Sequence, residues 1–424
     1  MRLLNLIVTI SLILFYLLAL IIDRFAGGLY IFLALLACIY LMLMRKEQWM
    51  AFKQLNKKYW VLVVSMCSLL LATLIHSVGT GQWASRSFDS PLRLALFSLI
   101  LWLFQLLPLK YLRWVQWAIV GGAILAVIKI YILTEGGTTR YGTDFIPIII
   151  FGELTFLLGA FAAFSIDWNG TNKKWKTALK LFALLCGFYA AYMSLSRGVW
   201  VSIPVVLSII YFLWSPSVKI KALAGAAGLF VVIIIGIFSF NSSVQGRIAT
   251  AKNDILQYEN KTNVDTSLGL RFQVWHGSFV LFKEHPFFGV GAENYVAALG
   301  QLRDRNVISD SAATLPHAHN EVLFMMAKLG IFGLFSILSL YLAPAYYFAS
   351  AICSTDLETR SAAAMGLALC TGFFMLGLVD VLFLWWEVFP FYAISIAFFL
   401  SVIIRRRTLT SSHGTVPTGN IISA

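Results

Sequence analysis

Long apolar stretches are the feature of this 424-residue chain that most limits its possible folds. Sixty per cent of the residues are hydrophobic and 12% are charged, whereas soluble domains carry about 25% charged residues. The stretches match the roughly 20 residues that a helix needs to cross a bilayer, and they lack the alternating ten-residue pattern of a membrane β-barrel. The sequence therefore predicts an all-α polytopic membrane protein and excludes a soluble enzyme and a disordered chain.

Twelve of these stretches are predicted to be membrane-spanning helices. The first has no small-residue cleavage site, which favours a retained helix over a signal peptide. The chain then divides into nine spans within residues 1–240, one long loop at 241–319, three spans within 320–404 and a tail at 405–424. The twelve spans are predicted at residues 3–22, 26–44, 60–78, 91–109, 114–134, 145–166, 178–196, 198–214, 222–240, 320–350, 361–380 and 386–404.

The distribution of basic residues predicts the orientation of the chain. An even number of spans places both termini on one side, and the short loops and helix ends of that side hold eighteen Lys and Arg residues, against five on the other side. Basic residues favour the cytoplasm, so both termini are predicted to be cytoplasmic and the long loop to face outwards. The net charge of +13 is then an orientation signal that also contacts anionic membrane lipids, and we expect no nucleic-acid partner.

The long loop at 241–319 has a pattern of its own. The stretch SLGLRFQVWHGSFVLFKEH has an apolar stripe at helical spacing, which predicts an amphipathic helix that ends at His285-Pro286. The stretch FFGVGAENYVAAL predicts a glycine-rich turn and a second short helix. Loops of this length usually carry function, although a surface cap without chemistry is an alternative.

Two histidines stand at the predicted outer end of span ten, in LPHAHNE. With Thr314 as cap and Pro316 in the first turn, His317 and His319 would lie about 200° apart on the helix, so that one of them reaches a shared site. The positive end of a helix keeps an imidazole neutral and able to accept a proton. The alternatives are histidines bonded to loop backbone and an HxH metal site; no accompanying Cys or carboxylate cluster supports the latter, so no metal is expected.

Two arginines are candidates for binding an anion. Arg197, in SLSRGVW, lies between two apolar spans, and Arg271, in GLRFQVW, opens the amphipathic loop helix. A cation at membrane depth needs a partner or a water-filled cavity, and two guanidinium groups could hold a diphosphate in bidentate fashion. The alternatives are snorkelling to the headgroups for Arg197 and a solvated loop charge for Arg271.

Weaker candidates surround these residues. Glu153 lies inside span six, where it is either functional or a structural partner of Lys129 or an arginine. Asp380 and Glu387 flank the outer turn of the last hairpin, and Asp380 could orient a base. The residues with a possible role in substrate binding are His317, Asn320, Asp380, Glu293 and Arg303.

The run from SLSRG through RFQVW and HPFFGVGAENY to HAHNEVL resembles the O-antigen ligase and O-antigen polymerase superfamily over about residues 178–340. The length and the single long loop are most similar to the ligase. The resemblance implies a fold of the membrane glycosyltransferase C kind and an inverting, metal-independent enzyme. It implies that residues matching Arg197, Arg271 and His319 are functional, and Asp380 less securely.

The reaction implied by this resemblance is transfer of a glycan from undecaprenyl diphosphate to the lipid A–core oligosaccharide, on the periplasmic face of the bacterial inner membrane. A diphosphate leaves without a proton, so Arg197 and Arg271 would stabilise its charge, while neutral His319 would take the proton of the acceptor hydroxyl. No cofactor is needed, and we expect a monomer. The motifs leave a glycan polymerase with the same donor, a protein-glycosylating relative and a transporter as alternatives.

Overall fold

The computed structural model of the chain describes residues 1–44, 46–137, 145–166, 168, 173–194, 197–214 and 242–413. Within these ranges the chain is helical and contains no strand, which confirms the predicted all-α class. Seventeen α-helices are described: α1 Arg2–Leu18, α2 Phe25–Leu43, α3 Lys46–Lys58, α4 Trp60–Thr80, α5 Ser85–Ala95, α6 Phe97–Gln105, α7 Leu109–Leu133, α8 Ile148–Phe164, α9 Lys174–Met193, α10 Arg197–Trp214, α11 Ser242–Glu259, α12 Ser267–Glu284, α13 Tyr295–Asp304, α14 Asp310–Ala313, α15 Glu321–Ala349, α16 Leu357–Gly377 and α17 Val388–His413.

Seven helical segments of the described chain are long and apolar enough to cross a membrane: α2, α4, α5 together with α6, α7, α15, α16 and α17. Shorter apolar helices are α1, α8 and the part of α10 from Gly198 to Ile210. The predicted seventh span, 178–196, overlaps the 20-residue helix α9, which is not among these candidates, so its crossing of the membrane stays a prediction. The predicted ninth span, at 222–240, lies outside the described residues, so the total of twelve stays a prediction.

The core of the bundle lies around α8 and α17. Every residue of α8 is buried, as expected for a helix that is apolar on all sides and surrounded by protein. Small residues let α9 approach it closely, because a Cβ added to Gly159 would lie 2.7 Å from the carbonyl oxygen of Ala183. Such small-residue contacts take the place of a hydrophobic driving force between membrane helices.

Contacts at the two ends of the bundle agree with the predicted alternation of loops. Arg113 forms a two-bonded ion pair with Glu358 at 2.7 and 2.9 Å, and both residues are predicted on the terminal side. On the opposite side, the amide of Asn294 donates to Oε1 of Gln82 at 2.7 Å. Segments assigned to the same side by hydropathy therefore meet in the structure.

The two helices that the sequence predicts in the long loop are both present, as α12 and α13. The glycine-rich turn between them packs into a break in α15, which has non-helical backbone at Gly330 (φ +62°, ψ −147°). The carbonyl oxygens of Ala327 and Lys328 accept hydrogen bonds from the N–H groups of Val290 and Gly291 at 2.9 and 3.0 Å. The turn thus supplies the hydrogen bonds that the broken helix lacks.

This close approach requires glycine. Gly289 has φ +70°, and a Cβ there would lie 2.4 Å from the carbonyl carbon of Lys328. On the other side of the contact, a Cβ at Gly330 would lie 2.3 Å from the carbonyl oxygen of Phe287. The GVG sequence of the turn is therefore explained by contact between two backbones.

We expect Gly289→Ala to lower the free energy of unfolding by about 1 kcal/mol or more, because its positive φ and its contact with Lys328 both oppose a Cβ. Gly300→Ala is the matched control, since Gly300 lies in α13 with nothing within 4 Å of an added Cβ. Thermal unfolding of the purified protein in detergent would measure both. Equal melting temperatures for the two variants would contradict the packing described here.

Candidate functional site

His317 and His319 lie in the irregular segment just before α15, which begins at Glu321. The cap of α15 is Asn320, whose Oδ1 accepts the N–H of Leu323 at 3.0 Å. The predicted cap at Thr314 is therefore wrong, and so is the placement of both histidines in the first helical turn. Because His319 has φ +48°, the chain turns sharply there, and the two rings come together with centroids 4.3 Å apart instead of facing different ways.

His319 lies against a carboxylate. Its Nδ1 is 3.4 Å from Oδ1 of Asp380, and the two side chains are 26% and 10% exposed. Asp380 belongs to the turn between α16 and α17, where its carboxylate also accepts the N–H of Val381 at 2.8 Å. Burial opposes ionisation of Asp380, but His319 and this N–H outweigh it and hold the pKa of Asp380 below its usual value. A carboxylate therefore faces the ring of His319 at neutral pH.

His317 is buried behind His319. Its Nδ1 accepts the backbone N–H of His319 at 3.3 Å, which leaves the proton of the neutral ring on Nε2. Burial and then the neighbouring His319 lower the pKa of His317 to about 4, although Asp380 acts in the opposite direction. His317 is consequently neutral at pH 7 and supports the ring of His319 without adding charge.

Both predicted arginines belong to segments that reach this place. Arg271 lies in the first turns of α12, and its charge is close enough to His317 to contribute to the lowered pKa. Arg197 begins α10; its side chain lies outside the described part of the structure, but the next residue, Gly198, packs against Val379. An added Cβ at Gly198 would lie 2.6 Å from Cγ2 of Val379, so α10 starts beside the turn that holds Asp380.

The start of α15 is tied to the same turn by two further residues. The amide of Asn320 donates to the carbonyl oxygen of Leu378 at 3.0 Å. Glu321 is fully buried, and its Oε2 accepts the N–H groups of Leu382 and Phe383, the latter at 3.0 Å. Asn320, predicted as a substrate-binding residue, thus ties α15 to this turn, and its role in binding substrate stays a prediction; Glu321 was missed. An acidic residue within an apolar span is the signal that could have identified it.

His76 was also missed by the sequence argument. It is buried near the end of α4, and its Nδ1 lies 2.7 Å from the carbonyl oxygen of Phe288 in the glycine-rich turn. A Cβ at Gly291 would approach its Nε2 to 3.0 Å. A single histidine in an apolar helix gives no sequence signal for such a contact, because the partner is more than two hundred residues away.

The remaining candidates lie elsewhere. Glu293 is exposed in the turn before α13, and exposed Arg303 forms a local ion pair with Asp304 at 2.7 Å. Glu153 is fully buried in α8, where its Oε2 accepts a hydrogen bond from Ser202 at 2.7 Å. This serine partner replaces the expected pairing with Lys129 or an arginine among the contacts that the structure describes.

One sequence argument against a metal has to be corrected. It relied on the lack of a carboxylate near the HxH pair, but Asp380 supplies one, and one donor atom each of His317, His319 and Asp380 lie within 4.8 Å of one another. These groups could hold a divalent cation. The same three residues also suit a second arrangement, in which His319 is a base held by the carboxylate of Asp380. His317 is compatible with it, because Nδ1 of His317 already accepts a backbone hydrogen bond.

Comparisons with known proteins agree with this site. A family model described as O-antigen ligase matches residues 181–338. A protein of Escherichia coli (strain K12) named O-antigen ligase is 28% identical over 262 residues, which cover 59% of this chain and 57% of that protein. Over this segment the chain is similar to the O-antigen ligase family. An uncharacterised protein of Haemophilus influenzae (strain Rd) is 28% identical over 365 residues, or 84% of this chain and 88% of that protein.

The segment shared with the O-antigen ligase family contains most of the site. Residues 181–338 include the start of α10, all of α12 and the histidine segment before α15. Asp380 lies outside this match, on the turn that Asn320 and Glu321 fasten to it. The predicted resemblance to this family is thereby confirmed, whereas the roles of individual residues stay predictions.

We expect the protein to lose stability as the pH falls from about 6.5 towards 4. Over this range His317 of the unfolded chain binds a proton, whereas in the folded protein the pKa of His317 is about 4 and the ring stays neutral. Proton binding therefore lowers the free energy of unfolding by about 2 kcal/mol at pH 5. Melting temperatures at about pH 7 and pH 5 would measure the loss. His317→Gln should flatten the pH dependence, whereas His276→Gln, at an exposed position of α12, should not; equal slopes in the wild type and His317→Gln would refute the assignment.

Proposed function

We propose that this protein is an O-antigen ligase that transfers a glycan from undecaprenyl diphosphate to the lipid A–core oligosaccharide. The similarity to the O-antigen ligase family supports the general function. The observation that carries the specific proposal is the convergence of His319, Asp380 and Arg271 at the start of a membrane-spanning helix. His319 would accept a proton, Asp380 would hold the ring of His319, and Arg271 would supply positive charge for the leaving diphosphate.

In this proposal His319 is the general base. With a proton on Nδ1 facing Asp380, its Nε2 is left to accept the proton of an acceptor hydroxyl at about 3 Å. The carboxylate of Asp380 holds the ring and balances the positive charge that forms on it, as carboxylates do for catalytic histidines. The 26% exposure of the His319 side chain favours it over buried His317, to which we assign positioning.

The leaving diphosphate needs charge stabilisation and no proton. We assign this role to Arg271 and Arg197, because a guanidinium group binds phosphate oxygens through two parallel hydrogen bonds. Attack by the hydroxyl on the face opposite the diphosphate would invert the anomeric centre. No step requires a metal ion, since the arginines supply the positive charge, so we propose a metal-independent reaction despite the three-residue donor cluster.

The proposed placement in the membrane follows from the charge distribution. The excess of basic residues in the short loops of the terminal side assigns that side to the cytoplasm. The end of the bundle with His319 would then face the periplasm, where the polyprenyl tail of the donor lies between spans and the acceptor arrives from the outer leaflet. We propose that the protein acts as a monomer in the bacterial inner membrane.

The lipopolysaccharide of a deletion strain tests the function. Loss of a ligase should leave lipid-linked polymer and remove the whole ladder of glycan bands from lipid A–core, whereas loss of a polymerase leaves core with one repeat. We expect the wild type to restore the ladder and His319→Ala to fail, since removing a general base slows a reaction about 10²- to 10⁴-fold. His276→Ala, at an exposed histidine of α12, is the control. A normal ladder with His319→Ala would exclude the base.

A second prediction concerns how the diphosphate charge is neutralised. Arg271→Lys should lower transfer by the purified enzyme about 10- to 100-fold, because the guanidinium fork is lost while the charge is kept. Arg305→Lys, at an exposed loop arginine that pairs with Glu284, should have little effect. EDTA should leave the wild-type rate unchanged; inhibition that Mg²⁺ reverses would mean that the histidine and aspartate cluster holds a metal.

A further inference from the structure

A cleft of about 610 Å³ lies against the turn between α16 and α17. It is also lined by the connection between α4 and α5 with the first turns of α5, by the turn before α13, and by α15. Its tryptophans and charged residues are Trp83, Arg86, Asp89, Glu293, Lys328 and Trp386. A neighbouring cavity of about 300 Å³ shares Trp83 and Glu293 with it and extends to His76 and Asn294. The two cavities form one elongated groove.

The groove adjoins the elements that position the base. Phe383 lines it, and the N–H of Phe383 is bonded to Glu321, two residues after His319. Met325 and Lys328 also line it, and they follow Glu321 on α15 by about one and two helical turns, or roughly 6 and 10 Å. The groove is therefore lined by residues of the helix that follows His319 and of the turn that holds Asp380.

Two indole rings are exposed in this groove and fixed in place. Trp83 is 65% exposed and stacks on Phe88 with an interplanar angle of 11°. Trp386 is 52% exposed, and the guanidinium of Arg93 lies 4.7 Å from the centre of its ring. Tryptophans of an interfacial belt face lipid, whereas these two line a cavity that also contains charged groups.

Charged residues of both signs line the groove. Arg86 and Lys328 line it together with Asp89 and Glu293, and Asp89 is paired with Arg93 at 3.1 Å. Hydrogen-bond donors and acceptors beside rigid aromatic faces suit a molecule rich in hydroxyl groups, whose sugar rings present C–H faces to the indoles.

We propose that this groove binds a saccharide chain during transfer. The inference rests on the proposed function, which supplies two saccharides of the same chemistry: the glycan of the donor and the oligosaccharide of the acceptor. Trp83 and Trp386 stack against sugar rings, while Glu293 and Lys328 bond to hydroxyl groups. The reacting hydroxyl or anomeric carbon stays at His319.

Direct binding tests this without relying on turnover. The probes are delipidated core oligosaccharide and delipidated O-glycan from the same strain, and the protein is the full-length His319→Ala variant in nanodiscs, observed by saturation-transfer NMR. One probe should bind, and Trp83→Ala should raise its dissociation constant about 3- to 10-fold. Trp114→Ala, at a tryptophan of similar exposure (63%) on α7, should not. Binding of neither probe, or equal binding by all variants, would overturn the proposal.

Steady-state kinetics identify which saccharide occupies the groove. Trp83→Ala and Trp386→Ala in the otherwise wild-type enzyme should raise KM for the acceptor or for the donor, and Trp386→Phe should restore most of the loss. Unchanged KM values for both substrates would overturn the proposal while leaving ligation intact. Conversely, a protein that binds one probe through Trp83 but does not restore the ladder would retain the groove and lose the ligase assignment.

Discussion

Backbone groups inside a bilayer have to be satisfied by protein, because no water is there to bond them. This constraint governs the structure, because α15 is broken at Gly330 within a span. The hydrogen bonds that the break leaves open are made by the glycine-rich turn, through Val290, Gly291 and the carbonyl oxygen of Pro286. A loop that hydropathy places outside the membrane is thereby anchored to a spanning helix, and α12 and α13 on either side of the turn are held over the start of α15.

The anchoring of α15 also helps to fix the positions of the residues in the candidate site. Asn320 and Glu321 fasten the beginning of α15 to the turn of Asp380, so the histidine and its carboxylate are held by backbone on both sides. His319 adopts a left-handed conformation that few residues other than glycine take. Strained backbone of this kind persists where the surroundings determine it and is common at functional sites. The left-handed backbone of His319 brings its ring and that of His317, two residues away, into contact.

The sequence predicted the elements better than their junctions. The apolar stretches, the loop helix α12 and its end at His285-Pro286 follow from local composition, and the structure has them. The predicted apolar stripe of α12 is wrong, because its buried face includes Gly269, Gln273, Gly277 and Ser278 while Phe279 is 43% exposed. The sequence placed His317 in the first helical turn because Pro316 is compatible with such a turn. That placement was wrong, because Asn320 caps the helix and the histidines precede it. Local sequence patterns could not predict the break in α15, because averaged hydropathy does not register one non-helical glycine. They could not predict the partner of His319 either, because Asp380 is 61 residues away along the chain. Arg271 and His319 were proposed together only through a motif resemblance.

The reacting groups and the lining of the groove belong to different parts of the chain. His319 and Asp380 sit on backbone that is fastened at both ends, whereas Trp83 lies in the connection between α4 and α5, which holds none of the reacting groups. Residues of that connection can be exchanged without moving the base. In evolutionary terms, such a protein can acquire a new glycan preference by substitutions in short surface connections, while the bond-forming apparatus is inherited unchanged.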